Sequence, residues 1–155
     1  MKHLIIAVIA ALSFNVTAQE QTLTWQTDVM KAVDLSVKTK KPLFLFFTGS
    51  DWCGWCKRLQ AEVFTQPQFQ AWAKKNVVLV ELDFPRFKRQ DERLQKQNIE
   101  LAQIFGIGGY PTVVFATPTV NGTQIVFNRL GSTGYIAGGP DVWLEAANQL
   151  LTTPQ

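Results

Sequence analysis

The spacing of hydrophobic and polar residues predicts alternating helices and strands along most of the chain. The continuous apolar run over 43–47 is typical of a strand buried on both faces, and the largely apolar segment over 77–82 predicts a second buried strand. Residues 112–116 and 124–130 predict two further strands, joined by a hairpin turn at Asn121-Gly122. Helical spacing of apolar residues predicts helices over 25–40, 53–64, 67–75, 89–105 and a final segment from 138 to 151.

The order of these elements predicts the fold class. It reads helix, strand, helix, strand, helix, strand, strand, helix. Strands that are separated by helices pair in parallel, whereas a hairpin is antiparallel. We therefore expect one α/β domain with a central mixed sheet of four to five strands and helices on both faces. The length of 155 residues fits a single domain.

The N-terminus predicts an export signal. A basic start at 2–3 precedes an apolar run over 4–14, and residues 16–18 end in the small side chains that a signal peptidase accepts. A membrane anchor is the alternative, but so short a helical run does not reach across a hydrocarbon core of roughly 30 Å. We expect a cleaved signal peptide over 1–18 and one domain over 19–155. The mature protein would be periplasmic or secreted, without a membrane span.

Charge and residue counts exclude several classes of function. The chain has 15 Lys and Arg against 12 Asp and Glu, which is too small an excess to predict a nucleic-acid partner. His3 is the single histidine, and it precedes the expected cleavage point. Catalysis by Ser-His-Asp or Cys-His groups and most zinc sites are therefore excluded, and we expect no metal.

Both cysteines lie where a predicted strand leads into a predicted helix. The unpaired N–H groups and the dipole at a helix N-terminus favour a thiolate, so we expect Cys53 to be the nucleophile. Lys57 adds positive charge nearby. Cys56 follows one turn later, where it can attack a mixed disulfide that has formed on Cys53.

The residues alone leave three other roles open for the pair. It could be a structural disulfide, although closing so short a loop removes only roughly 2 kcal/mol of chain entropy. It could be half of a metal site, although the mature chain offers no further Cys and no His. It could also be an unreactive pair in a binding protein.

Two motifs together resemble thioredoxin-fold proteins. The active-site segment of that fold is similar to Trp52-Cys53-Gly54-Trp55-Cys56-Lys57, and its cis-proline loop is similar to Gly109-Tyr110-Pro111-Thr112. The longer pattern over 47–56 resembles exported bacterial thioredoxin-like proteins of the thioredoxin-7 type. The resemblance covers about residues 23–151.

The resemblance implies a thioredoxin-like fold and thiol–disulfide oxidoreductase activity, with no cofactor beyond the redox-active Cys53–Cys56 disulfide. Cys53 would attack, Cys56 would resolve, and the Tyr110–Pro111 bond would be cis. The residues expected to contact substrate are Trp52, Gly54, Trp55, Tyr110 and Pro111.

We expect a monomer, and the same resemblance implies its partners. They would be cysteine-containing exported proteins and an unknown thiol donor. We favour a reductase-like direction. A disulfide isomerase or oxidase and a non-enzymatic client-binding module are the alternatives.

The sequence departs from typical thioredoxins at a buried aspartate, which they carry six residues before the first cysteine. Phe47 occupies that position here. Glu81 or Asp83 on the next predicted strand could replace it as a proton acceptor for Cys56, although a surface carboxylate is the favoured alternative for both. The basic stretch over 84–98 is interpreted as a solvated helix face rather than a docking patch.

Overall fold

Residues 23–152 are described by the computed structural model, so the predicted signal peptide over 1–18 lies outside the described residues. Within 23–152 the chain forms five α-helices and four strands. In chain order they are α1 Val29–Thr39, β1 Leu43–Thr48, α2 Gly54–Leu59, α3 Pro67–Asn76, β2 Val78–Asp83, α4 Glu92–Phe105, β3 Thr112–Asn121, β4 Gln124–Thr133 and α5 Gly139–Thr152. Helix α2 continues into a π-helical turn over Gln60–Phe64.

The four strands form one mixed sheet in the order β2-β1-β3-β4. β1 pairs in parallel with β2 and antiparallel with β3, and β4 pairs antiparallel with β3. The predicted mixed sheet is thus confirmed at the lower end of the expected strand number. β3 and β4 both run further than predicted, to Asn121 and Thr133.

Helix α1 begins later than the apolar spacing predicts because an aspartate ends the preceding extended segment. The carboxylate of Asp28 accepts the N–H of Met30 at 2.9 Å and caps the helix. Gln26 is extended and bridges to Val80 at the edge of β2. The prediction of helix from residue 25 is therefore wrong for its first four residues.

Helix α4 also begins later than predicted. Asp91 caps it by accepting the N–H of Leu94 at 3.1 Å, and residues 84–91 before it form a loop. The basic residues Arg86, Lys88 and Arg89 therefore lie on a loop. The interpretation of this part of the stretch as a solvated helix face is wrong.

Each face of the sheet carries its own buried core, and strand alternation divides β1 between them. Phe44 and Phe46 belong to the core that contains both cysteines, and α2, α3 and α5 cover that face. Leu43, Leu45 and Phe47 belong to the opposite core, which α1 and α4 cover. The expected helices on both faces are thus confirmed. β1 lies in the middle of the sheet, and its C-terminal end leads directly to Cys53.

A search of residues 23–152 for membrane-spanning helices finds none with the required length and apolar character.

Candidate active site

The two cysteines form a disulfide at the start of α2, with an S–S distance of 2.06 Å. The N–H of Cys53 donates to the carbonyl of Gly49 at 2.8 Å, which closes the turn between β1 and the helix. Cys53 is the N-cap, and its sulfur accepts the N–H of Cys56 at 3.1 Å. Cys53 keeps 5% of its surface exposed whereas Cys56 has none. Both residues are buried, and Cys53 is the one of the two that retains some contact with solvent.

The Tyr110–Pro111 peptide bond is cis, as the resemblance implied. The Tyr110 ring packs against the core cluster that holds both cysteines. It also lies perpendicular to the ring of Trp52, with 5.7 Å between the centroids. Burial raises the pKa of the Tyr110 hydroxyl, against an opposing effect of the Arg86 charge. The structure thus brings the two sequence motifs into contact.

Asp51, two residues before Cys53, fastens a distant loop to the site. Its carboxylate accepts backbone N–H groups from Arg86, Phe87 and Lys88 at distances between 2.8 and 3.2 Å. Desolvation raises the pKa of this carboxyl, but these hydrogen bonds and its own N–H outweigh that effect, so the pKa lies below its usual range. Nothing in the sequence indicates this clamp, because its partners are about 35 residues apart.

The same loop holds Trp52 from two directions. The indole Nε1 donates to the carbonyl of Phe84 at 2.7 Å. The guanidinium of Arg86 lies 3.7 Å from the centroid of the Trp52 ring, a cation–π geometry. The Trp52 ring, directly before Cys53 in the chain, is therefore held between the loop and Tyr110.

Trp55 lies between the cysteines with 56% of its surface exposed. The guanidinium of Arg58 lies over both its ring and that of Tyr135, at 5.4 and 5.2 Å. Glu62 pairs with Arg58 at 2.6 Å and accepts the Tyr135 hydroxyl at 2.6 Å. The hydrogen bond from Tyr135, and then that from Arg58, holds the pKa of Glu62 below its usual range. The rings of Trp55 and Tyr135, joined by Arg58, thus form an aromatic surface beside the two cysteines.

Gly54 and Lys57 are exposed neighbours of the pair. A Cβ atom at Gly54 would meet nothing within 4 Å, so no packing constraint requires glycine there. The Lys57 ammonium donates to the carbonyl of Asp51 at 3.2 Å. Its charge therefore lies close to the turn that precedes Cys53.

Phe47, six residues before Cys53, points into the core opposite the cysteines, whereas Phe46 packs in the cysteine core. Thr48 follows the alternation back to the cysteine side.

Glu81 lies on the cysteine side of β2, in register with Phe46 of β1. It lines a cavity of about 250 Å³ whose wall also includes Gln60, one helical turn beyond Cys56. Burial, and then the charge of Asp83, raises the pKa of Glu81 against the opposing charge of Lys88. Cys56 itself is not part of the cavity wall.

Asp83, the other candidate acceptor, is already engaged. Its carboxylate accepts the N–H and the hydroxyl of Ser50 at 2.8 and 2.6 Å and pairs with Lys88 at 3.2 Å. Nowhere between residues 23 and 152 do three or more His, Cys, Asp or Glu side chains come together in a group that could hold a metal ion.

Comparisons with known sequences place the chain among thioredoxin-like proteins. The family model described as a thioredoxin-like domain matches residues 29–137. Disulfide bond reductase DsbH from Chlamydia pneumoniae is 37% identical over 118 residues, which cover 74% of this chain and 69% of DsbH. Thioredoxin-related protein DsbJ from the same organism is 28% identical over 76% of this chain, which spans about a third (32%) of DsbJ.

Solved structures share the fold. A DsbH oxidoreductase superposes with a TM-score of 0.74 at 29% identity, over 86% of this chain and 87% of that structure. A thioredoxin from Thermus thermophilus gives 0.62 at 17% identity, over 84% and 88% of the two chains. The oxidised C-terminal domain of DsbD from Neisseria meningitidis gives 0.52 at 21% identity, over 81% and 98%. At such identities, the last two show the fold alone.

The observed sheet, the paired cysteines at the start of α2 and the matches agree. The predicted thioredoxin-like fold is confirmed, and so is the predicted class of enzyme. Since the family model spans residues 29–137 and the DsbH relative is 37% identical over 69% of its own length, this chain belongs to the thioredoxin-like family and is a thiol–disulfide oxidoreductase.

Proposed function

We propose that this protein is an exported reductase that uses Cys53 and Cys56 to reduce disulfides in other exported proteins. The observation that carries the proposal is the disulfide at the start of α2, in which Cys56 is fully buried and Cys53 keeps a small exposed fraction. The similar DsbH of Chlamydia pneumoniae is a disulfide bond reductase, which supports this direction of electron flow. The Cys53–Cys56 disulfide would be the whole redox centre, without a further cofactor.

In the reduced protein the Cys53 thiolate attacks one sulfur of a partner disulfide. The partner's S–S bond breaks, one partner cysteine leaves as a thiolate, and a mixed disulfide joins Cys53 to the other. The Cys56 thiolate then attacks Cys53, the mixed disulfide breaks, and the second partner thiolate leaves. Two electrons pass to the partner, and an external thiol donor must reduce the new Cys53–Cys56 disulfide.

The local structure favours a thiolate at Cys53. The N–H of Cys56 already donates to the Cys53 sulfur at 3.1 Å, and this donor would stabilise a negative charge there. The ammonium of Lys57 donates a hydrogen bond to the carbonyl of Asp51 and adds positive charge to the same turn. Both features lower the free energy of the attacking form.

We assign Glu81 as the proton acceptor for Cys56. It lies on the cysteine side of the sheet, in a cavity that extends to within one helical turn of Cys56. Its raised pKa brings it closer to the pKa of a thiol, which favours proton exchange between the two. Glu81→Gln should slow the release of mixed disulfides more than their formation.

The substrate segment would lie across the surface next to Cys53. Trp55 is more than half exposed there, and the paired rings of Trp52 and Tyr110 would offer a second aromatic contact. The backbone at Tyr110 and Pro111 could pair with an extended segment, as in strand addition. Gly54 leaves space for it above the helix start.

The experiment that tests this function is partner capture with the Cys56→Ser variant. Attack through Cys53 should persist while release stalls, so mixed disulfides with partner proteins should accumulate on nonreducing gels. Cys53→Ser is the matched control and should trap few partners. Equal trapping by both variants would reverse the assigned roles.

A second set of measurements addresses direction, assembly and location. A protein that reduces insulin disulfides with a thiol donor but does not reactivate scrambled ribonuclease is a reductase rather than an isomerase. Sedimentation should give a monomer. The N-terminal sequence of the protein recovered from the periplasm or the medium should begin at Gln19, since we propose that residues 1–18 are removed.

A further inference from the structure

We propose that Arg86 makes this site select cysteine-containing segments that carry a carboxylate beside the reacting cysteine. The inference rests on the proposed function, because it specifies the substrate class of the same site. Arg86 lies on a loop that is far from Cys53 in the sequence but that packs against Trp52, the residue before Cys53, in the fold.

The side chain of Arg86 places a positive charge against the residue that directly precedes Cys53. Its guanidinium lies 3.7 Å from the centroid of the Trp52 ring, and Trp52 directly precedes Cys53. Arg86 is itself exposed. A carboxylate one or two residues from a bound substrate cysteine would therefore come within reach of the guanidinium.

The structure fixes the loop that carries Arg86. Three consecutive N–H groups, from 86 to 88, donate to the carboxylate of Asp51. The indole of Trp52 donates to the carbonyl of Phe84 at 2.7 Å. Because the backbone on both sides of Arg86 is tied to the segment before Cys53, binding a carboxylate need not order the loop first.

The charge of Arg86 is available, unlike those of two neighbouring cations. Arg58 pairs with Glu62 at 2.6 Å, and Lys88 pairs with Asp83 at 3.2 Å. Among residues 23–152 no acidic side chain forms an ion pair with Arg86. A guanidinium stacked on an indole keeps the edge of its fork free for a planar carboxylate.

The expected change in reaction rate is small because the ion pair between Arg86 and a substrate carboxylate would be exposed to solvent. Ion pairs at exposed positions change a binding equilibrium by up to roughly fivefold. We therefore expect a substrate with a flanking carboxylate to react about threefold to fivefold faster than its neutral analogue. Raised salt should shrink the difference, because screening acts on exposed charges.

The test uses three short peptides that differ only beside their cysteine. Each peptide carries Glu, Gln or Lys on both sides of a cysteine activated as its 2-thiopyridyl disulfide, which releases neutral 2-thiopyridone when Cys53 attacks. The reduced protein should react in the order Glu, then Gln, then Lys. The rate for each peptide is measured against wild-type protein, Arg86→Gln and Arg86→Lys.

Arg86→Gln should bring the ratio of the Glu and Gln rates close to one, and Arg86→Lys should retain part of it. A change in the reactivity of Cys53 itself alters all three rates alike and leaves the ratio unchanged. Arg89→Gln is the matched control, since it removes the same charge from the same loop and should preserve the ratio.

An unchanged ratio in Arg86→Gln, or an equal loss of the ratio in Arg89→Gln, would overturn the proposal. In either case Cys53 would still react with the peptides, so the proposed function would stand. A protein that reacts with no peptide would instead contradict the proposed function.

Discussion

Thr48, the last residue of β1, provides a direct test of the packing beneath the cysteine pair. Its side chain is fully buried. Within residues 23–152 its hydroxyl oxygen is a buried side-chain atom without a hydrogen-bond partner. Strand alternation places it on the face of Phe44 and Phe46, which is the cysteine side of the sheet.

The Thr48→Val substitution replaces this hydroxyl by a methyl group of similar size. A buried hydroxyl that lacks a partner costs about 1–3 kcal/mol, and valine also suits a strand well. We expect the free energy of unfolding of the oxidised protein to rise by about 1–2 kcal/mol. For a domain of this size the melting temperature should rise by roughly 3–8 °C.

Urea titration followed by tryptophan fluorescence measures this change, with the disulfide kept oxidised. Thr112→Val is the matched control, because the Thr112 hydroxyl donates to the carbonyl of Gly109 at 2.8 Å. That variant should gain nothing, and it should lose up to about 1 kcal/mol. A neutral or destabilising Thr48→Val, with the control behaving as expected, would refute the placement of this hydroxyl in an apolar environment.

Three further predictions concern residues outside the reactive pair. Asp28→Asn should flatten the loss of stability as the pH falls below about 4, because the hydrogen bond from Arg93 lowers the pKa of Asp28 and its stabilisation disappears as pH falls through that lowered value; unchanged pH-dependent urea titrations would contradict this. Gly131→Ala should destabilise by about 1–3 kcal/mol in thermal melts, because its Cβ would lie 2.7 Å from the Leu150 side chain; a variant that melts like wild type would argue against this contact. Asp51→Ala should speed hydrogen exchange at the three loop amides that the carboxylate binds, with β1 still protected as the internal control.

The elements that the sequence predicts best are those buried on both faces. The expected strand over 43–47 is observed as Leu43–Thr48, and that over 77–82 as Val78–Asp83. β1 is a continuous apolar run in the middle of the sheet, and such a run has few alternatives because water is excluded from both of its faces. Helix starts are predicted less well, since the capping aspartate rather than the first apolar residue decides where α1 begins.

In the site, the sequence indicates the residues that are neighbours along the chain and misses those that meet through a loop. The motif of Cys53 and Cys56 is a local pattern, and the cis bond before Pro111 is what the resemblance to thioredoxin-fold proteins implies. The clamp from Asp51 and the stacking of Arg86 on Trp52 join segments more than 30 residues apart, and no spacing rule connects them.

Asp51 raises the question of why a carboxylate is tolerated two residues before a cysteine that must become a thiolate. A nearby negative charge raises the pKa of a thiol, so a free aspartate there would oppose the reaction. This carboxylate, however, accepts N–H groups from the loop over 86–88, whose partial positive charges offset its own. The clamp also places the cation of Arg86 over Trp52. The aspartate therefore brings to Cys53 a loop whose dipoles and charge counter the field that the aspartate alone would exert.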